Sequence, residues 1–433
     1  MTDFPCPPPP ASPEDTGLSP DFLIGLISKI MTHYGTMTLT RVSEVICLPK
    51  AVVRGLMEEM VRLQLVETKG LASSADMRSD LRYALSDRGE RWAAEAFKLS
   101  QYVGAAPVTL EQFQDQVRLQ TLGQERIDPE RLAAALRHLV LPEALTLQLG
   151  PAVNSAKSIL LFGEPGNGKT SIAEALGYTF QDTILVPYAI IVRNEVIQVF
   201  DDTVHHPVDV PGALTLDRRW VRCRRPVVAA GGELTLDRLE LIFEPRARYY
   251  EAPMHMKALG GVFLIDDFGR QREHPKAFIN RWIGPLERGV DILTLHTGKK
   301  FSIPFDQLLI FSTNMRVEEL SDGAGLRRIF YKIFVPSPTR EEYLTIFQRT
   351  CERARVPYDA GVLEQFYQDH YVAQNLVTSG AHPGFLVKHI IAAAAFQGRP
   401  PRLTRDLLDL AWRNVVTDSR SAAPGRPSAV RVE

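Results

Sequence analysis

Apolar positions recur at helical spacing through the first hundred residues. After residue 140 they give way to short, wholly apolar runs separated by amphipathic stretches. Phe22, Leu23, Leu26, Ile27 and Ile30 share one helix face, and Thr40 to Cys47 predicts a short second helix. Pro49 opens a third helix with Val52, Val53, Leu56, Met57 and Met60 on its apolar side. Leu65–Gly70 and Leu81–Leu85 read as an outgoing and a returning strand, and Ser86-Asp87 caps an alanine-rich helix. Residues 1–20, with Pro7 to Pro10 consecutive, predict a disordered tail, as do 419–433. Residues 101–139 are polar and helical and predict a linker. From Pro142 onward, apolar strands alternate with amphipathic helices. That alternation predicts an α/β domain, a parallel sheet with helices on both faces.

Four segments of this second half carry chemistry. The strand Ser158–Phe162 runs into Gly163-Glu164-Pro165-Gly166-Asn167-Gly168-Lys169-Thr170, and Ser171 continues into a helix. This is GxxxxGK[ST] in the strand–loop–helix setting that a phosphate-binding loop requires. Glycines let backbone N–H groups turn inward around phosphate, and the helix N-terminus adds partial positive charge. Lys169 would reach the outer phosphates and the Thr170 hydroxyl would hold Mg²⁺. Gly260–Asp267 is an apolar strand ending in two acids. Asp266 would sit in the Mg²⁺ shell, and Asp267 would orient or deprotonate the attacking water. The third segment, Leu308–Asn314, is a strand ending in Ser-Thr-Asn. The fourth is Gly325-Leu326-Arg327-Arg328-Ile329, followed by Val335-Pro336-Ser337-Pro338.

In this order the four segments resemble the AAA+ ATPases. The resemblance covers about Val140 to Val416 and implies a P-loop NTPase core over 140–340 with a helical lid over 341–418. It implies ATP and Mg²⁺ as cofactors, with Asn314 beside the γ-phosphate. Arg327 or Arg328 would be a finger projected into a neighbouring subunit's site, in a hexamer or similar ring. Val140-Leu141-Pro142 resembles the segment that touches adenine. Two positions depart from the pattern. Asp267 stands where most relatives carry glutamate, one methylene longer, which would slow turnover. Gly384 stands where a lid arginine is expected; either Lys388 one turn later substitutes for it or the chain lacks that sensor. The predicted hairpin Asp291–Phe305, with His296-Thr297-Gly298-Lys299 at its turn, resembles that of the branch containing the MoxR and magnesium-chelatase groups. Lys299 and Lys300 would then face a central channel, or be a solvated turn.

Residues 21–100 resemble a winged helix-turn-helix. Lys50, Arg54 and Arg62 are its candidate DNA contacts, although Glu58 and Glu59 share their helix, and such modules also dock proteins. An insertion at about 188–256 separates the first two chemical segments. In it, Arg218 to Arg225 packs five arginines around Trp220, which either grip nucleic acid, pair with Asp201, Asp202 and a neighbouring subunit's acids, or form one exposed strand face; the shortness of the run and the neutral chain favour the interface or structural readings. His205-His206 beside Asp201 and Asp202 reads as a polar loop rather than a metal site. The formal net charge of -1 excludes a chain-wide basic field. Cys6, Cys47, Cys223 and Cys351 are scattered, as in a reducing compartment. No signal peptide is expected, and no apolar run is long enough to span a bilayer. The expectation is a soluble, cytoplasmic ATPase remodelling a protein or nucleoprotein client. Its rival is a nucleotide switch or DNA-binding regulator.

Overall fold

The computed structural model describes residues 6–71, 81–209, 216–320 and 323–415. Its centre is a five-stranded parallel sheet of β1 (Ile159–Phe162), β2 (Val227–Ala230), β3 (Val262–Ile265), β4 (Leu308–Thr313) and β5 (Tyr331–Phe334). Their spatial order is 2-3-4-1-5. The strands are apolar throughout because both faces are covered. Ile159, Leu161, Val262, Leu264, Leu308 and Ile310 face one layer, which includes helix α1 (Lys169–Gly177). Leu160, Phe263, Ile265, Leu309 and Phe311 face the other, packing with Phe278, Ile279 and Trp282 of α2 (Pro275–Arg288). Successive residues of a strand point oppositely, so each run feeds both cores.

Beyond β5 lies a separate helical unit with its own core: α3 (Arg340–Ala354), α4 (Ala360–Tyr367), α5 (His382–Phe396) and α6 (Arg405–Val415). Thr339 starts it with a reciprocal capping box to Glu342, which satisfies two orphan N–H groups of the first turn.

At the other end of the chain, Pro20–Tyr34, Leu39–Ile46 and Lys50–Arg62 are helices. Val66–Leu71 pairs antiparallel with Leu81–Leu85, and Asp87–Leu99 closes the unit. The Ser19 and Ser86 hydroxyls accept from the Phe22 and Gly89 amides and fix where two of these helices begin.

Three boundaries differ from expectation. The tail predicted over 1–20 is packed from Cys6 onward. Pro10 and Thr16 are buried, the Asp217 amide donates to the Pro7 carbonyl (3.0 Å), and Arg219 donates to the Thr16 carbonyl (3.0 Å). Proline lacks an N–H, but its carbonyl can still be captured by a neighbouring segment. The linker predicted over 101–139 contributes Val108–Thr109 to a second sheet, where it pairs with Ala189–Val192. Third, the insertion at about 188–256 is not continuous, because β2 of the central sheet lies inside it. The tail at 419–433 lies outside the described residues.

The hairpin Val290–Thr294/Lys300–Pro304 lies against this second sheet. Leu293, Leu295, Phe301 and Ile303 are buried with Val108, Ile190, Ile197 and Tyr250. His296 at its turn stacks on Phe243 at 4.1 Å. Its base is anchored by Asp291, which accepts from His255 Nε2 (2.8 Å) and from Arg281 Nη1 (2.7 Å) and Nη2 (2.8 Å). Burial alone would raise the Asp291 pKa, but these donors outweigh it and hold the carboxyl at about 2. Burial keeps His255 below the ordinary histidine range, so its neutral ring is the donor. A depressed carboxylate stabilises the fold above its unfolded pKa of 3.8 and loses that contribution as pH falls toward 2. Acid titration of wild type should therefore lose about 2 kcal/mol in this window beyond any loss seen in Asp291→Asn. Equilibrium urea unfolding between pH 2 and 5 measures the difference; identical acid slopes would remove Asp291 as the anchor.

Candidate nucleotide site

The phosphate-binding loop is shaped by glycines at positive φ: Gly163 at 146°, Gly166 at 82° and Gly168 at 80°. A side chain at Gly163 would run into the Val335 carbonyl, and one at Gly166 into the Ser379 hydroxyl. The loop is thus pressed between β5 and the lid. Gly168 caps α1, whose first residue is Lys169, so the chain delivers a helix N-terminus and an ammonium to one point.

Lys169 is 5% exposed; its Nζ donates to the carbonyls of Gly163 and Glu164 (2.9 Å each) and to Asn314 Oδ1 (2.6 Å). Burial lowers its pKa, opposed by the charges of Asp266, Asp267 and Glu164. Asn314 in turn donates from Nδ2 to Asp267 Oδ1 (3.2 Å). The Thr170 hydroxyl donates to the Asp266 carboxylate at 2.9 and 3.0 Å. Three neighbouring strand ends thereby meet in one linked set. Asp267 holds φ at 46°, a region that aspartate tolerates better than most side chains. Phe268 N donates to the Ser312 carbonyl (2.7 Å) and Thr313 Oγ1 to the Phe268 carbonyl (2.6 Å), tying the ends of β3 and β4 together.

A cavity of about 500 Å³ opens over this set. The loop lines it from Gly166 to Ser171, joined by Asp267, Ser312 and Asn314 from the sheet, His138 to Leu141 from the preceding segment, and Ile346, Arg349, Arg353, Gly380 and Ala381 from the lid. Gly163, Glu164 and Pro165 form the back of the loop and are not among its lining residues. Sequence reasoning missed the lid arginines and Gln271. The Gln271 amide donates to the carbonyls of Asp266 and Gly231 (3.2 Å each) and accepts from Gly269 N (2.8 Å), bracing the turn behind the two acids. Glutamine six residues past a strand end is not by itself a signal.

The cradle fits a nucleotide and its cation. Inward-turned glycines and a lysine suit phosphate, and Thr170 with Asp266 offers the hard oxygens Mg²⁺ prefers. Among the described residues no group of three or more His, Cys, Asp or Glu side chains forms a metal site. Mg²⁺ bound through one or two protein oxygens and substrate phosphates needs none.

Other candidate residues lie elsewhere. Arg327 and Arg328, in the turn before β5, do not line the cavity of their own chain. Arg328 Nε bonds Glu287 Oε1 at 2.9 Å, whereas Arg327 is exposed. Lys388 is exposed on α5 and does not line the cavity; Lys299 and Lys300 are exposed at the hairpin turn. The arginine run 218–225 is not a basic surface. Arg219 and Arg225 are buried on Asp217 and Glu125, and Arg222 bonds Thr183 and Cys6; Arg218 and Arg224 are exposed. His205 is a core residue rather than part of a polar loop. Its Nδ1 accepts from Asp201 N (3.0 Å), which leaves Nε2 to donate to the Lys257 carbonyl (2.9 Å). In the N-terminal unit, Lys50 and Arg54 are exposed, while Arg62 is held by both Glu59 oxygens.

The parallel order 2-3-4-1-5, with the glycine loop leaving β1 and the acids ending β3, defines a P-loop NTPase fold. A family model described as a domain of unknown function (DUF8689) matches residues 339–414, the span of the lid. No curated protein matches the chain. Among solved structures it is similar to the RuvB Holliday junction branch migration motor of Thermotoga maritima, with 14% identity, 63% of this chain and 67% of that one covered, and a TM-score of 0.36. NtrX from Brucella abortus gives 14% identity, 64% and 57% coverage and a TM-score of 0.39. A MepR-like protein covers 19% of this chain and 55% of its own at 22% identity, with a TM-score of 0.16. The fold assignment rests on strand order and loop, not on these likenesses. No described helix is long and apolar enough to cross a membrane.

Proposed function

We propose that this chain is an Mg²⁺-dependent ATPase that works as an oligomeric ring, hexameric or similar, to remodel a protein or nucleoprotein partner. The observation that carries the ATPase reading is the linked set Lys169–Asn314–Asp267 beside Thr170–Asp266, gathered at a helix N-terminus under one cavity. In it Lys169 and the loop amides neutralise the β- and γ-phosphates, while Thr170 and Asp266 hold the cation. Mg²⁺ supplies Lewis-acid stabilisation of charge developing on the phosphate oxygens. Asp267 orients the attacking water and accepts its proton, and Asn314 fixes the Asp267 carboxylate by donating to it. Arg327 is the finger offered to the neighbouring subunit, because it is exposed and does not line the cavity of its own chain.

The N-terminal unit acts as a winged-helix-like docking module. Its helix 50–62 presents few free cations, which favours a protein partner over DNA. The Lys299 and Lys300 turn, rigidly backed by the second sheet, is the surface offered to a client in the ring.

A second reading has support in Asp267, one methylene shorter than glutamate: a nucleotide switch in which turnover is incidental. ATPase rate per subunit measured against protein concentration separates the two. The ring predicts a rate that climbs with concentration. Asp267→Asn should lower kcat by about 10²–10⁴ with nucleotide affinity retained. A low, flat rate that is indifferent to Asp267 would leave the switch.

A further inference from the structure

We infer that the lid grips the base end of the nucleotide and does not read the γ-phosphate. Arg349 is the positioning residue of that grip. The inference rests on the nucleotide reading above and deepens it.

Helix α3 starts near the phosphate-binding loop, where Ser337 Oγ accepts from Asn167 Nδ2 (3.1 Å), and runs away from it. Ile346, Arg349 and Arg353 fall three and four residues apart, so they share the face toward the cavity. Arg349 Nη1 donates to the carbonyls of Arg137 (3.1 Å) and Leu139 (3.0 Å). Those carbonyls lie just before and within the segment 138–141, which lines the cavity. Arg353 Nε donates to the Arg349 carbonyl (3.3 Å), and its guanidinium has no acid partner among the described residues. Both lid cations that line the cavity therefore sit at the end remote from α1's N-terminus.

At the phosphate end the lid presents only Gly380 and Ala381, with Ser379 donating to the Pro165 carbonyl (3.5 Å). Lys388 is turned outward beside exposed Phe385 and Ala392. A ligand shifts a conformational equilibrium only through its differential affinity for the two states. A lid with its cations at the base and none at the γ-phosphate gains the same contacts from ATP as from ADP. Hydrolysis is then sensed by the core, through Asn314 and Asp267, and the lid stays closed across it.

The test uses the full chain with AMP-PNP and ADP as probes, each titrated by calorimetry with Mg²⁺. Arg349→Ala is expected to weaken both by about 10-fold, leaving their affinity ratio unchanged, since it releases the two intramolecular bonds that hold the lid against the segment 137–139 and so loosens a wall that both nucleotides meet alike. In steady state it raises the KM for ATP and leaves kcat unchanged, a split that loss of folded protein would not produce. Lys388→Ala leaves both affinities unchanged. Loss confined to AMP-PNP in either variant, or no loss in Arg349→Ala, overturns the inference. Failure of wild type to bind either probe would instead remove the nucleotide reading itself, and the inference with it.

Discussion

Replacing Arg327 with alanine is expected to lower ATP turnover per subunit by about 10³–10⁵ without changing nucleotide affinity, whereas Arg328→Ala should stay within about 10-fold of wild type. The two arginines are adjacent, yet their surroundings differ. Arg328 is paired with Glu287 on α2. Removing it loosens a partly exposed ion pair of the turn, a modest effect. Arg327 is exposed, as is Phe330 at 64%, and neither lines the chain's own cavity. A guanidinium there serves catalysis only when a second subunit brings its cavity to it. Mixing decides the point. Asp267→Asn subunits keep a finger but lack the water-orienting carboxylate, and Arg327→Ala subunits keep the carboxylate but lack the finger. Each preparation alone should be inactive, and the mixture should recover a fraction of the wild-type rate. A mixture as inactive as its components would place Arg327 outside the shared site.

The largest expected loss of stability follows Arg225→Ala, about 3–5 kcal/mol in equilibrium urea unfolding. Arg225 and Glu125 are both nearly sealed from solvent, with side chains 4% and 3% exposed and 3.0 Å between Nε and Oε2. Arg225 Nη1 also donates to the carbonyls of Gln120 (3.2 Å) and Gly260 (2.7 Å). Glu125 accepts in addition from Arg131 Nη2 (2.6 Å) and Gln181 N (2.8 Å). The pair thus joins the segment before the core, the end of α1 and the start of β3. Truncating the arginine strands two carbonyls and leaves a buried carboxylate with one remaining cation, and that uncompensated charge costs more than the pair contributes. Arg225→Met combined with Glu125→Gln should recover much of the loss. A single variant within about 0.5 kcal/mol of wild type would show that water reaches the site.

Much of this was legible in the sequence. Gly163 to Thr170 between an apolar strand and a helix is a local pattern whose geometry follows from glycine φ freedom and from the helix N-terminus. The structure places Lys169, Thr170, Asp266, Asp267 and Asn314 together, although they are scattered over 146 positions. The arginine run was half legible. Arg219, Cys223 and Arg225 are buried and Arg218 and Arg224 exposed, but Trp220 beside Arg219 is buried as well, so simple alternation along the strand does not sort the run. Nothing local marks Glu125 as the partner of Arg225, 100 residues later.

What the sequence by itself determined is whatever depends on neighbours a few residues apart: helix and strand periods, the serine and threonine caps, the glycine loop and the apolar runs of a sheet covered on both faces. These follow from backbone sterics and from burial of a repeating face, which act over a turn or a strand. Tertiary structure alone decided which partner each charge found. It paired Arg328 with Glu287 and left Arg327 exposed, folded the proline-rich segment onto Asp217 and Arg219, and set Arg349 against the carbonyls of Arg137 and Leu139. Such choices rest on long-range packing, where an acid or a carbonyl anywhere in the chain can satisfy a guanidinium, so spacing along the sequence carries no record of them.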